Sequence, residues 1–383
     1  PVFASEEVIV QGGIANLIEE TRNSAAVVNL IGAEQISRTG DSDAAGALRR
    51  VTGLTVVDGK FVYVRGMGER YSSSLLNGAR LPSPEPNRRV VPLDLFPASV
   101  IESIAVQKSY SPELGGDFGG GAVSIRSAGI PDDRYQRRLR TRVGMSIGYN
   151  VGVSFTERLF GVGGSLDFLG VDDGTRRLPQ EIEDAEYVEV GETDPFFGEL
   201  LRGYTVEEVT QLAETIPNNW GVSPLTVPLD IGLSASVRDK IELGERASFG
   251  YNIAALYGNS WDYDESVLAQ YTPSDSGFSP TNEFELFTTQ NEVDLGVLID
   301  AVLQLGRTRR FDTTSLIVRA ADSVTQRTEG FYDSEGGYDL RRTEVSWTEQ
   351  SLLSQSLGAQ LGLGEFGDTI LSVRNTTSFA QRY

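Results

Sequence analysis

The clearest structural signal in the chain is the run RVGMSIGYNVGVSF at residues 142–155, where apolar residues alternate without a break with polar residues or glycine. A period of two places every second side chain on the same face of a β-strand. One face of the predicted strand is therefore apolar along its whole length, and the other is polar or bare. The apolar members are Val143, Met145, Ile147, Tyr149, Val151, Val153 and Phe155.

The same alternation returns in PLDIGLSASVRD at residues 228–239 and in ASFGYNIAALYG at residues 247–258. Less regular copies predict further strands at about 289–305, 313–330, 339–363 and 369–383. The strands of a soluble sandwich usually have about 5–6 residues, whereas the first strand here alternates over 14. The pattern therefore predicts a transmembrane antiparallel β-barrel with about seven strands in this chain. A soluble sandwich is the alternative.

The predicted connections alternate between long and short, as they do in outer-membrane barrels. We expect a long loop at about 156–227, a tight turn near 244–246, and about 28 residues rich in Pro, Ser and Asp after the third strand. Tyr257, Trp261 and Tyr263 would then lie where that strand ends, as an aromatic girdle at the membrane interface requires.

The long loop is predicted to contain a helix. Thr205-Val-Glu-Glu208 matches a capping box that opens the amphipathic stretch VEEVTQLAET, and Pro217 would close it. A loop of this size either carries recognition or gating, or covers the mouth of the barrel.

The first 130 residues differ from the rest and predict a small α/β domain. A helix capped by Asp41 or Ser42 would run through Arg50, followed by the strands LTVV and FVYVRG joined at Asp58-Gly59. A second helix is expected around 97–101, then the strand SIAVQK, a glycine cluster and a last strand.

Composition excludes several kinds of chemistry. The 383 residues include 54 acidic and 33 basic side chains, a net charge of −21, which disfavours nucleic acid as a partner. Histidine and cysteine are both absent, so imidazole bases, thiol nucleophiles and their metal sites are excluded within these residues. We expect no enzyme, no cofactor and no metal site. A surface enzyme or an oxygen-ligand Ca²⁺ site is the alternative, built on Asp172-Asp173 or on Asp262, Asp264 and Glu265.

Residues 62–82, VYVRGMGERYSSSLLNGARLP, resemble the plug motif of TonB-dependent outer-membrane transporters, in which an Ile/Val-Arg-Gly run precedes a short stretch ending in Asn-Gly. Residues 94–125 are similar to the second plug motif, which ends in a glycine cluster and a short apolar strand. Residues 6–12, EEVIVQG, are similar to the TonB box. Residues 108–112, KSYSP, depart from the Arg-Gly-Pro of many plugs, so no residue role is carried over at that turn.

The resemblance implies an N-terminal segment at 1–14 with the TonB-box-like strand, a plug domain at 15–133 inside the lumen, and the first part of the barrel at 134–383. With 22 strands in such barrels, the chain would stop within a strand at Tyr383. The resemblance also implies roles for particular residues. The TonB-coupling residues would be Glu6, Glu7, Val8, Ile9 and Val10; the plug–barrel lock would be Arg65, pairing with a wall carboxylate; and the ligand-facing plug residues would be Arg80, Arg88 and Arg89.

The glycine cluster would let the backbone adopt positive φ and pack closely inside the barrel wall. A phosphate-binding loop is the alternative, but no Gly-Lys-Ser/Thr follows and a strand, not a helix, comes next. The cluster comprises Gly115, Gly116, Gly119, Gly120 and Gly121.

The function implied by the resemblance is active uptake across the outer membrane of a Gram-negative bacterium. An unidentified extracellular ligand would bind, and TonB, the periplasmic energy-coupling protein, would displace the plug. Outer-membrane lipid and lipopolysaccharide are the other expected partners. A plugged barrel with a structural or surface-complex role, without transport, is the alternative.

Overall fold

The computed structural model describes residues 28–39, 44–57, 60–68, 71–83, 91–93, 96, 101–111, 114, 118–127, 139–185, 192–193, 200–202, 204–216, 221–244, 246–274, 277–306, 308–332, 337–363 and 369–382. These residues form a small α/β domain and a large antiparallel sheet, and strands account for most of them.

The small domain is built on a five-stranded sheet in the order β1-β6-β7-β4-β5, with a separate hairpin of β2 and β3. Only the β4–β7 pair is parallel. The strands are β1 (Val28–Gly32), β2 (Leu54–Val57), β3 (Phe61–Val64), β4 (Ser72–Leu76), β5 (Ala79–Arg80), β6 (Ile101–Gln107) and β7 (Gly121–Ser127). The helices are α1 (Ala33–Thr39) and α2 (Ala44–Leu48).

Several predictions for this domain are confirmed. The strands LTVV and FVYV pair as an antiparallel hairpin, and the helix expected before Arg50 is α2. The helix expected around 97–101 lies mostly outside the described residues, and Ile101 begins β6. No helix in the described ranges is long and apolar enough to cross a membrane.

The large sheet has seven strands, each antiparallel to the next along the chain, in the order β18-β17-β16-β15-β14-β13-β8. The predicted strand count and pairing are confirmed, and the sheet is not closed. The strands are β8 (Arg140–Gly148), β13 (Asp230–Glu242), β14 (Ala247–Ser274), β15 (Gly277–Leu305), β16 (Arg309–Tyr332), β17 (Tyr338–Leu363) and β18 (Thr369–Arg382).

The predicted end of the first strand is wrong. β8 ends at Gly148, and the chain turns through residues 151–155. The cause is local hydrogen bonding: the N–H groups of Val153 and Ser154 both donate to the carbonyl of Asn150. The Asn150 amide also donates to the Asp230 carboxylate at 3.0 Å and to the Trp261 carbonyl at 2.8 Å.

The predicted 28-residue link after the third strand is also wrong. β14 continues to Ser274 and pairs with β15 along its whole length, so only residues 275–276 separate the two strands. The extra part of β14 is largely polar. Its pairing with β15 does not require an apolar face, because a strand in water can be polar on both faces. Tyr257, Trp261 and Tyr263 therefore lie within β14 and not at a strand end, which corrects the predicted girdle.

The two faces of the large sheet differ sharply. Directly paired residues share a face, and one row of paired residues crosses all seven strands with apolar side chains only. This row lies on the face away from the small domain, which we call the outward face. Its members are Val143, Ala235, Ala255, Val297, Ile317, Leu353 and Phe379.

Between β8 and β13 the long connection contains strands β9 (Glu157–Gly161), β10 (Glu192–Thr193), β11 (Leu200–Arg202) and β12 (Val222–Thr226), and helices α3 (Gln180–Glu183) and α4 (Val206–Thr215). β9 pairs with β12. The predicted capping box of α4 is confirmed, because Thr205 accepts from the Glu208 N–H and the Glu208 side chain accepts from the Thr205 N–H.

Candidate functional site between the small domain and the large sheet

The small domain packs on the face of the large sheet opposite the apolar row, which we call the inner face. One cluster of buried apolar side chains includes residues of both parts. The contributions of the sheet are at most 8% exposed and alternate with the outward-facing positions. They are Ala254, Leu298, Leu316, Val318, Ala320 and Leu352.

A salt bridge joins the hairpin of the small domain to the wall. The Lys60 Nζ lies 2.6 Å from the Glu292 Oε1, on β15. The two side chains are 31% and 24% exposed, so water partly screens the pair. Such a pair contributes about 0.2–1 kcal/mol. It therefore positions the domain without fixing it irreversibly.

Asn77 forms a second set of contacts, at the turn after β4. Its φ of 50° is in the left-handed region, which asparagine tolerates better than most residues. Its side-chain NH₂ donates to Ser127 Oγ at 2.9 Å and to Thr314 Oγ1 at 3.1 Å, and its Oδ1 accepts the Ser127 N–H. The Arg374 guanidinium donates to the Asn77 carbonyl. One turn residue thus bonds to β7 of its own domain and to two strands of the wall.

Asp300 lies buried where the small domain ends. It is 6% exposed, and it accepts from Ser127 Oγ and from the Asn252 amide, both at 3.3 Å. A buried carboxylate is costly unless it is hydrogen-bonded. Asp300 therefore receives one of its hydrogen bonds from Ser127 of the small domain.

Lys108 is buried inside the small domain, and its Nζ donates to the Thr52 carbonyl. Burial lowers the pKa of Lys108, and the positive charge of Arg65 lowers it further. This position belongs to the KSYSP turn, to which the resemblance assigned no residue role.

The predicted site residues fall in different places. Arg65 is exposed, has a φ of 54°, and donates its N–H to the Gly53 carbonyl at 2.9 Å. Among the described residues no carboxylate forms an ion pair with it. Arg80 is exposed at the end of β5. Residues 6–10, Arg88, Arg89, Gly115 and Gly116 lie outside the described residues.

The described glycines of the cluster have close neighbours, as predicted, but those neighbours belong to the small domain and not to the wall. A Cβ on Gly119 would lie 2.9 Å from the Cβ of Tyr71, and Cβ atoms on Gly120 and Gly121 would collide with Met67 and Val64. None of the three has positive φ. The cluster therefore lets β7 approach the 64–71 segment.

The acidic groups considered as alternative sites are used structurally or point to solvent. Asp172 pairs with Arg176 at 3.2 Å, and Asp173 accepts from Ser165 and Thr175. Asp262 and Asp264 are exposed. Within the described part of the chain, no group of three or more residues could hold a metal ion.

Lys60, Asn77, Ser127 and Asp300 were not predicted from the sequence. Asn77-Gly78 ends the first plug-like motif, and such a pair is a recognisable local signal for a left-handed turn. The wall partners Glu292, Thr314 and Asp300 lie more than 170 positions further along the chain, and no local pattern relates them to the small domain.

Comparison with known proteins agrees with this architecture. Residues 20–123 match the family model described as the TonB-dependent receptor plug domain. These residues are thus a plug domain seated against part of a barrel wall. The chain therefore contains a domain of the kind that plugs TonB-dependent receptors.

Solved structures that match the chain include a mutant of the ferric enterobactin receptor PfeA from Pseudomonas aeruginosa, at 11% identity and a TM-score of 0.35, covering 94% of this chain and 50% of that chain. The siderophore receptor PirA from Acinetobacter baumannii matches at 12% identity and a TM-score of 0.32, covering 94% and 57%. The copper transporter OprC matches at 13% identity and a TM-score of 0.36, covering 94% and 48%. The chain spans about half the length of these structures. No curated protein matches.

Proposed function

We propose that this chain is part of an active transporter of the Gram-negative outer membrane, which binds an extracellular ligand and imports it when TonB displaces the plug. The observation that carries the proposal is the way in which the plug is seated: its contacts with the wall combine an apolar cluster with partly hydrated polar pairs. Such pairs can exchange with water at small cost. In this mechanism the barrel wall encloses the path and the plug blocks it.

Coupling begins at residues 6–10. Ligand binding shifts the plug ensemble so that this segment becomes available in the periplasm. TonB then adds a strand to it through main-chain hydrogen bonds. Pulling separates the plug from the wall at Lys60, Asn77 and Ser127. Arg80, Arg88 and Arg89 are the candidates for ligand contact, and Arg65 remains the candidate for a lock formed with a wall carboxylate.

The coupling step is tested at Val8. Val8→Pro removes a backbone N–H that strand addition would use, whereas Val8→Ala keeps it. Titration of the purified receptor with the periplasmic domain of TonB should show that Val8→Pro abolishes binding and that Val8→Ala retains it. Equal binding by both variants would contradict the placement of the coupling segment.

The alternative is a plugged barrel with a structural role in a surface complex. Such a protein would have no need of the TonB-box-like residues 6–10. Deleting TonB from the cell separates the two. If the protein is a transporter, the growth that depends on it, on limiting iron or on a single carbon source, is lost with TonB. If it is structural, its contribution to the cell is unaffected by the loss of TonB.

A further inference from the structure

Part of the long connection between β8 and β13 lies on the outward face of the sheet. The Tyr257 hydroxyl donates to the Phe168 carbonyl at 2.8 Å, and the Arg319 Nε donates to the Gly170 carbonyl at 2.8 Å. Tyr257 and Arg319 belong to the row of paired residues next to the outward apolar row that contains Ile317. The segment 164–176, which we call the outer clasp, therefore contacts the wall from outside, and the plug contacts it from inside.

The outer clasp fits tightly against the wall. Gly170 is buried with a φ of 64°, and a Cβ there would lie 3.1 Å from the Cβ of Ala321 and 3.4 Å from Val293 Cγ1. Only glycine combines that conformation with so close an approach. The Asp172 N–H donates to the Glu349 carboxylate at 2.7 Å.

An arginine reinforces this docking. The Arg176 guanidinium lies 4.0 Å from the centre of the Trp347 ring and bonds to Asp167 at 2.5 Å. Its flat, weakly hydrated cation suits such stacking on an aromatic face. The Arg176 guanidinium and the Asp172 N–H thus contact the wall, whereas Asp173 is exposed and bonds within the clasp to Ser165 and Thr175.

Several apolar side chains of the same region are exposed. Phe168 is 55% exposed, and Leu166 and Leu169 are also exposed. In the neighbouring turn, Val151 is 89% exposed, and the exposed rings of Tyr149 and Phe155 lie 6.3 Å apart. A loop in water usually has the opposite arrangement, with polar groups outward.

We propose that the outer clasp and the turn at 149–155 form an anchor that inserts apolar side chains into the interfacial layer of the lipid leaflet beside them. The proposal rests on the proposed function, in which the outward apolar row faces lipid. The clasp contacts the wall at Tyr257 and Arg319, which lie farther along their strands from the short links at 243–246 and 306–308 than the apolar row does. Tyr257 and Trp261 lie under this covering, so the loop supplies the aromatic belt that such barrels carry at the interface.

The test uses the absence of cysteine from these 383 residues. Single variants Phe168→Cys, Ile317→Cys and Gln211→Cys are labelled with a nitroxide and reconstituted in phosphatidylcholine vesicles. Collision with oxygen reports lipid exposure, and collision with a nickel chelate reports water exposure. Ile317 is the lipid reference on the outward row, and Gln211 is the water reference on the exposed α4.

We expect the label at position 168 to collide more with oxygen and less with nickel than the label at position 211, with values between those of 211 and 317. Values equal to those of 211 would overturn the anchor while leaving the barrel intact. Low collision with both reagents would also overturn it, because protein would then cover the site. If the label at position 317 itself reports water, the proposed function fails first, so the two failures are distinguishable.

Discussion

Lys108 and Arg65 show how the plug tolerates two positive charges close together. The pKa of Lys108 is lowered first by burial and then by Arg65. Because the folded pKa lies below the unfolded value of about 10.4, the charged lysine opposes folding at neutral pH. Stability should therefore rise as the pH increases from the folded pKa towards the unfolded pKa.

We predict that Arg65→Gln raises the pKa of Lys108, but not to its ordinary value, because burial remains. The sequence contains only three lysines, Lys60, Lys108 and Lys240, so the titration can be followed by carbon NMR of methylated lysines. Arg49→Gln is the control, since Arg49 is not among the causes of the shift. An unchanged Lys108 titration in Arg65→Gln would contradict the prediction.

At the scale of single residues, the sequence predicted which residues permit close packing, but it did not predict which residues they contact. The glycines at 119–121 were expected to allow close packing, and they do, but against Val64, Met67 and Tyr71. Asp300 and Glu292 occur in strands whose alternation predicts which face they occupy. What alternation cannot supply is the position of the plug along that face, which depends on contacts between distant segments.

At the scale of elements, the β2–β3 hairpin and strand β15 meet through Lys60 and Glu292. We predict that Lys60→Met and Glu292→Gln each make the plug easier to displace, by about 0.2–1 kcal/mol as for other partly exposed pairs. The measurement is the urea concentration at which the receptor begins to conduct ions across a planar bilayer. The double variant should be less destabilised than the sum of the two singles.

The pair Arg342–Glu344 supplies the control. It is a salt bridge of 2.7 Å in β17, with both side chains more than half exposed, and neither residue bonds to a described residue of the plug. Arg342→Met and Glu344→Gln should leave the urea threshold unchanged. The same assay applied to Arg65→Ala tests the proposed lock, since conduction at the wild-type threshold would exclude it. Additive effects of the two Lys60–Glu292 variants would show that the pair is not coupled.

Elements with a local signal were predicted correctly, and those without one were not. The start of α4 could be predicted from the four residues 205–208, because a capping box is a local hydrogen-bond pattern between Thr205 and Glu208. β14 was predicted to end near 258 because its apolar alternation ends there. Its extension to Ser274 depends on pairing with β15, and the polar sequence gives no sign of it. The early end of β8 depends on the hydrogen bonds of Asn150.

At the scale of the whole molecule, the seven apolar residues of the outward row lie side by side across the sheet. Each strand shows only its own alternation, and the row forms because the register of six successive strand pairs brings these positions into line. A continuous apolar surface of this kind is stable only against an apolar surrounding. In the proposed outer-membrane transporter that surrounding is lipid.

We predict that Ile317→Arg, in this row, destabilises the membrane-inserted protein by more than the about 0–1 kcal/mol that arginine costs near the interface and by less than the about 2–4 kcal/mol that it costs at the bilayer midplane, because Ile317 lies one row of paired residues from the outer clasp. Phe331→Arg is the matched control: Phe331 lies on the same strand and face, and its exposure of 47% is close to the 50% of Ile317. Because Phe331 lies 14 residues further along β16, beyond the apolar band, its substitution should cost much less. Stability is measured as the guanidinium midpoint of refolding into phosphatidylcholine vesicles. Equal destabilisation by Ile317→Arg and Phe331→Arg would contradict a lipid-facing row. Only lipid makes the cost of arginine depend on depth in the membrane; water or a protein partner would not.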